Sequence, residues 1–84
     1  MNEKTLRALI EAGAVKRLRI VADGGRFRVE VDTAASTQMA MTTKGAPRTW
    51  GTIDASAKWL RGLGIGTAQL QLERWQPGQK SMGF

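Results

Sequence analysis

Residues 48–65, RTWGTIDASAKWLRGLGI, form the stretch that decides the fold. Thr52 can cap a helix, because its hydroxyl accepts a hydrogen bond from an otherwise unpaired backbone N–H of the first turn. Asp54 follows in that turn, where a carboxylate faces the positive end of the helix dipole. The apolar positions at helical spacing are Ile53, Ala57, Leu60 and Leu63, with Trp59 at the edge of the stripe. Gly62 and Gly64 tolerate the left-handed backbone that ends a helix, so we predict one amphipathic helix here.

The stretch before this helix predicts a β-hairpin. Residues 16–23 and 26–32 both alternate with a period of two, and Gly24-Gly25 between them suits a two-residue turn. The turn fixes the register. On the buried face it pairs Ala22 with Phe27, Ile20 with Val29 and Leu18 with Val31. On the other face it pairs Asp23 with Arg26, Arg19 with Glu30 and Arg17 with Asp32, and it leaves Arg28 opposite Val21.

The arginines of that polar face have two interpretations. Taken singly, they make a basic sheet face that suits phosphates. Taken as pairs, all but Arg28 face a carboxylate across the strands, and such exposed pairs stabilise a sheet by roughly 0.2–1 kcal/mol each. We favour the second interpretation, a ladder of charges that sets the register. Arg28 stays a candidate contact because the register gives it no acid.

Three further elements complete the prediction. Asn2 can cap a first helix that runs to about Ala12, and Gly13 can end it. A third strand is predicted over about residues 37–43. A fourth is predicted over residues 67–73, where the alternating pattern assigns three side chains to the core: Ala68, Leu70 and Leu72.

These elements follow one another in the order α-β-β-β-α-β and predict a single α+β domain over residues 1–75. We expect one antiparallel sheet with both helices on its apolar face. Residues 76–84 are rich in Gln, Gly, Pro, Lys and Ser, and a flexible tail is expected there. At 84 residues the chain is near the lower size for independent folding, so its stability depends on packing or on association.

The composition of the chain limits the classes of function that we expect. The chain has 13 Lys and Arg against 7 Asp and Glu, a formal net charge of +6, and no His or Cys. The usual catalytic bases, thiolate nucleophiles and zinc ligands are therefore missing, and we expect neither an enzyme nor a cofactor or metal. The basic balance favours a polyanionic partner, although spare Lys and Arg can also serve solubility alone. No stretch is long and apolar enough to span a membrane, so we expect a cytoplasmic protein with no membrane partner.

The loop over residues 44–48 is the first place to look for a nucleic-acid contact, because it carries two cations and no acid and leads to a tryptophan. Cations can hold phosphates, and an aromatic ring can stack on a base. The candidate nucleic-acid-binding residues are Lys44, Arg48, Trp50, Arg28, Lys58 and Arg61. The alternative is that Trp50 only caps the core beneath an ordinary solvated turn.

Two resemblances bear on function. The run WGTIDASAKWLRGLGI over residues 50–65, with strands before it and LQLERW over residues 70–75 after it, resembles the small ParC-type partition-associated proteins of bacterial plasmids and integrative elements. That resemblance spans almost the whole chain. It implies a setting beside DNA segregation genes, and it transfers no functional residues.

The second resemblance is topological. A three-stranded sheet followed by a helix that opens on Thr52-x-Asp54-Ala55 is similar to the arm-type DNA-binding domains of phage integrases, which lay the sheet in the major groove. Here the exposed sheet face bears three acids that oppose phosphates: Asp23, Glu30 and Asp32. The likeness therefore concerns the fold alone.

Two functions follow as expectations. The first is a non-enzymatic accessory protein of plasmid or mobile-DNA partition or maintenance that binds DNA through the basic loop and helix face. The second is a protein-interaction module that binds a partition ATPase or another protein without contacting DNA. The sequence leaves the oligomeric state open.

Overall fold

A computed structural model describes residues 1–76 of the chain. Its elements are α1 Glu3–Glu11, β1 Val15–Gly24, β2 Arg26–Thr33, β3 Thr37–Met39, β4 Thr49–Trp50, α2 Ile53–Gly62 and β5 Gln69–Trp75. The predicted α+β class is confirmed, and both helices contribute to one core on one face of the sheet. The buried apolar side chains of that core are Leu6, Leu18, Ile20, Ala22, Phe27, Val29, Val31, Ala40, Leu60 and Leu63. Of the tail predicted over residues 76–84, all but the first residue lies outside the described residues.

The β1–β2 hairpin has the predicted register. Ala22 lies opposite Phe27 and Ile20 opposite Val29, and the polar pairs follow the same ladder. Gly24 has a φ of +65°, the left-handed conformation that the turn requires and that glycine adopts without a steric penalty. The hairpin is therefore specified by its turn and its alternating pattern together.

The helix caps are also as predicted. The Asn2 side chain accepts from the Thr5 amide at 2.9 Å, and the Thr52 hydroxyl accepts from the Ala55 amide at 3.1 Å. Two positions of the α2 stripe differ from the prediction: Ala57, which was assigned to the stripe, is exposed, and Ser56 is fully buried instead. Its hydroxyl donates to the Ile53 carbonyl at 2.8 Å, and that bond lets a polar side chain occupy the core.

The expectation of a purely antiparallel sheet is wrong, because β5 pairs parallel to β1 and makes the sheet mixed. The strand order is β3-β2-β1-β5, with β4 also paired to β2. The two-residue strand β4 was not predicted, and it runs antiparallel to β2. Strand β4 therefore runs in the same direction as β5. Helix α2 connects these two strands, as a helix usually does between parallel strands.

The expectation that Ala68, Leu70 and Leu72 face the core is also wrong. Leu70 and Leu72 are 43% and 41% exposed, and Ala68 precedes the strand and is exposed. Leu70 lies beside the buried Ile20 on the helix side of the sheet. However, α2 packs over β1, β2 and β4, so the helix layer does not cover the edge where β5 lies.

The third predicted strand is shorter than expected, since β3 ends at Met39. The chain then forms a small hairpin over residues 41–47, in which Met41 bridges to Pro47 and the Thr42 amide donates to the Ala46 carbonyl at 2.7 Å. Within residues 1–76, none of the helices has the length and apolar character to cross a bilayer.

Candidate nucleic-acid interface

Carboxylates hold most of the arginines on the polar face of the β1–β2 hairpin. The Arg19 guanidinium lies 2.8 Å from Asp32 and 3.1 Å from Glu30, and Arg17 lies 3.5 Å from Asp32. Hydrogen bonds from the Thr37 hydroxyl and then from Arg19 hold the pKa of Asp32 below its ordinary value. These contacts support the interpretation of this face as a charge ladder rather than a phosphate surface.

Arg28 is also paired, so the expectation that it lacks an acid is wrong. Its Nη1 lies 3.3 Å from Asp23 and its Nε lies 2.9 Å from Glu30. Asp23 is a diagonal neighbour across the hairpin, within reach of a long side chain. Arg26, which the register placed opposite Asp23, instead donates to the Thr49 hydroxyl at 2.9 Å.

Arg48 and two tryptophans form a stack beside the core. The rings of Trp50 and Trp59 have centroids 5.0 Å apart at 45°, and both side chains are half-buried against the core. The Arg48 guanidinium carbon lies 5.7 Å from the Trp50 ring centroid and 5.2 Å from that of Trp59, within cation–π range. Because the two rings pack on each other and on Arg48, the geometry favours a packing role for Trp50 over stacking on a base.

A groove of about 420 Å³ opens between α1 and the 41–47 hairpin. Its lining residues are Glu3, Lys4, Arg7, Met41, Thr43 and Arg48. Met1 joins the two walls, since its amino group donates to the Met39 carbonyl at 2.7 Å and its own carbonyl accepts from the Met41 amide at 2.6 Å. Three cations from segments far apart in sequence thus line one groove, which we call the α1 groove.

Glu3 is the one acid that lines the α1 groove, and two neighbours engage it. Its Oε1 accepts from the Trp59 indole N–H at 3.1 Å, and its Oε2 accepts from Arg7 at 3.2 Å. The Trp59 hydrogen bond, followed by that of Arg7, lowers the pKa of Glu3, which is therefore ionised at neutral pH. The groove keeps a positive balance with its carboxylate already bonded.

The remaining candidates lie apart from one another. Lys44 is exposed at the tip of the 41–47 hairpin, next to the groove residue Thr43. Lys58 is paired with Asp54 at 3.3 Å on the solvent side of α2. Arg61 is exposed two residues beyond Trp59, a step of about 200° around the helix, so it faces away from the Arg48 stack.

The sequence interpretation did not include Lys4 and Arg7 among the candidate residues. Their spacing of three residues on a helix puts them on one face, and that signal was readable. The two side chains line a groove only because the 41–47 hairpin packs against the same helix face. No local sequence pattern predicts that packing. Within residues 1–76, no three acidic side chains come close enough together to hold a metal ion.

In comparisons with known proteins, no protein-family profile, curated protein or solved structure matches the chain. The resemblance to ParC-type proteins therefore stays a hypothesis that rests on residues 50–75. The functional argument depends on the charges and contacts described above.

Proposed function

We propose that this chain is a small non-enzymatic accessory protein that binds the phosphate backbone of DNA through the α1 groove and the neighbouring hairpin tip. The observation that carries the proposal is the convergence of Lys4, Arg7 and Arg48 around one groove, with Lys44 beside it. Side chains of this kind supply the sequence-independent, salt-dependent part of DNA affinity. The ParC-type resemblance supports a cytoplasmic role in partition or maintenance of plasmid or mobile DNA.

The sheet face supports the same choice of surface by contrast. Three of its four arginines, Arg17, Arg19 and Arg28, are bound to carboxylates, so phosphates arriving there would have to displace existing ion pairs. In the α1 groove only one of the three cations is ion-paired within residues 1–76, since Arg7 contacts Glu3 at 3.2 Å while Lys4 and Arg48 form no salt bridge there. A polyanion therefore meets less opposing charge on the helix side.

The arrangement of the tryptophans supports duplex DNA over single strands as the ligand in this proposal. A protein that grips single strands needs exposed aromatic faces on which bases stack. Here Arg48 covers Trp50 and Trp59, and the two rings pack on each other. We therefore expect phosphate contacts to dominate, with no preference for single strands and little discrimination among sequences.

Fluorescence anisotropy with labelled duplex DNA, titrated at several salt concentrations, tests this proposal. The combined Lys4→Ala and Lys44→Ala change should weaken binding to all sequences alike. The slope of log affinity against log salt should become shallower by about one for each phosphate that the variant no longer neutralises. Arg48 is left in place because its removal would also disturb the tryptophan stack.

A matched control separates the site from the overall charge. Lys16→Ala combined with Arg17→Ala removes the same two charges from β1, where Arg17 is tied to Asp32. This control should keep affinity close to that of the unmodified chain. Equal reductions in affinity for both double variants would show that only net charge matters, and the α1 groove would then have no special role.

One observation favours a second function, a protein-interaction module that does not touch DNA. Leu70 and Leu72 are exposed on an edge strand, and exposed apolar side chains at such an edge suit contact with another protein. A partition ATPase is the partner that the genetic setting would suggest. Absence of measurable DNA binding at low salt would remove the first function and leave this one.

A further inference from the structure

One edge of the sheet is open. In the described part of the chain β5 pairs with β1 alone, so its other side presents backbone N–H and C=O groups without a strand partner. The opposite edge is different, because β2 carries both β3 and β4, and the Ala40 amide donates to the Val29 carbonyl between them. The free hydrogen-bonding groups of a strand are a template for a further strand.

The first part of the open edge has little of the usual protection against pairing, and the register shift and the two charged residues lie at its C-terminal end. Residues 69–73 contain no proline and no lysine, the residues that commonly block an exposed edge. Leu70 and Leu72 are the two large apolar side chains that stand exposed in residues 1–76. The pairing with β1 is regular from Gln69 to Gln71, and a register shift follows before Arg74.

We propose that the occupant of this edge is β5 of a second copy of the chain, paired antiparallel about a two-fold axis at Gln71. Facing residues of antiparallel strands point to the same side of the sheet. In this register Leu70 lies opposite Leu72 of the second copy, and Leu72 lies opposite its Leu70. Leu70 lies on the helix side beside Ile20, and the alternating pattern assigns Leu72 to the same side. Both leucine pairs then fall on the helix side of one continuous sheet that joins the two copies.

The charges and the alternating pattern identify a second copy as the occupant. Although the chain has a net charge of +6, β5 contains one acid and one cation, so like charges do not crowd this edge. On the polar side the register sets Gln71 against Gln71 of the second copy and Gln69 near its Glu73. The segment Leu70-Gln71-Leu72 is thus complementary to itself when it is turned through the two-fold axis.

Sedimentation velocity of the full chain over a wide range of concentrations tests the association. The unmodified chain should show a reversible monomer–dimer equilibrium. Leu70→Lys should abolish the dimer, because it sets a charge against an apolar side chain at the interface. The matched control Gln69→Lys adds the same charge to the same strand on its polar side, near Glu73 of the second copy, and should still dimerise.

Mixing two variants tests the register. Leu70→Lys alone and Leu72→Glu alone should each be monomeric. In a mixture they should form a heterodimer, because the register brings the new cation opposite the new acid and keeps one leucine pair. Circular dichroism confirms that each variant is folded, as expected for side chains that are nearly half exposed.

A cysteine placed on the proposed axis gives an independent readout, because the chain has no cysteine of its own. Gln71→Cys should form an intermolecular disulfide on mild oxidation, since opposite strand residues lie within disulfide reach. Gln69→Cys should not, because its own copy lies about four residues along the partner strand.

Three outcomes overturn the proposal. The first is an unmodified chain that stays monomeric at every concentration, as it would if residues 77–84 or a different protein covered the edge. The second is a dimer that persists in Leu70→Lys. The third is a mixture of the two charge variants that stays monomeric while the unmodified chain dimerises. None of these results depends on DNA, so this proposal and the proposed DNA binding fail separately.

Discussion

Replacing Leu60 with alanine tests the packing of α2 on the sheet. Leu60 is 3% exposed at the centre of the helix stripe, within the core that both helices share. The change removes three buried carbons, and at about 0.8 kcal/mol each the transfer free energy falls by about 2.4 kcal/mol. A cavity left behind adds to this, so the free energy of unfolding should fall by about 3–5 kcal/mol.

Thermal and urea unfolding followed by circular dichroism measure the effect. For a domain of this size, each kcal/mol lowers the melting temperature by about 4–8 °C, so a decrease of at least about 12 °C is expected. A reduction of this size approaches the whole stability of a small domain, so we expect a substantial unfolded fraction at ordinary temperatures. Lys58→Ala is the control in the same helix, where the side chain is 79% exposed and its pair with Asp54 contributes little. An unchanged melting temperature in Leu60→Ala would show that α2 does not bury this face.

Two further predictions concern the hairpin. Gly24→Ala should lower the free energy of unfolding by about 1–2 kcal/mol, because φ is +65° at this position. Gly25→Ala should lower it much less, because Gly25 has no positive φ and an added Cβ would meet no atom within 4 Å. Equal effects of the two substitutions would contradict the turn assignment. The lowered pKa of Asp32 means that its contacts with Thr37 and Arg19 stabilise the fold fully above the ordinary carboxyl pKa and cease to do so as pH falls through the folded value. Urea midpoints measured from neutral pH down to acid should therefore fall less steeply in Asp32→Asn than in the unmodified chain, and parallel curves would contradict this assignment.

The sequence predicted the features that depend on neighbours in the chain. The β1–β2 register follows from Gly24 and the alternation of residues on either side, and both caps follow from the residues at the helix starts. Arg48 and Trp50, which lie two residues apart, are also in contact in the structure. In each case the interaction that decides the structure spans only a short stretch of chain.

The features that the sequence did not predict depend on distant segments. The parallel direction of β5 depends on which sheet edge α2 reaches, and the alternation of Leu70 and Leu72 is the same in a covered strand and in an uncovered edge strand. The α1 groove needs the hairpin over residues 41–47 to lie against α1, so the shared helix face of Lys4 and Arg7 did not by itself indicate a groove. Arg28 is an exception, because its acids Asp23 and Glu30 are near in sequence; they were missed because only directly opposite residues were considered as partners.

The parallel pairing of β5 with β1 has a consequence for how the chain folds. The β1–β2 hairpin can form early because its paired residues are close in sequence. The pairing of Ile20 with Leu70 can form only later, because Leu70 lies near the end of the domain. Contacts between such distant residues slow folding, because the loop must close before the contact gains anything. Until β5 is synthesised, β1 presents an open strand edge. A chain that terminates before residue 69 should therefore aggregate rather than persist as a smaller folded domain.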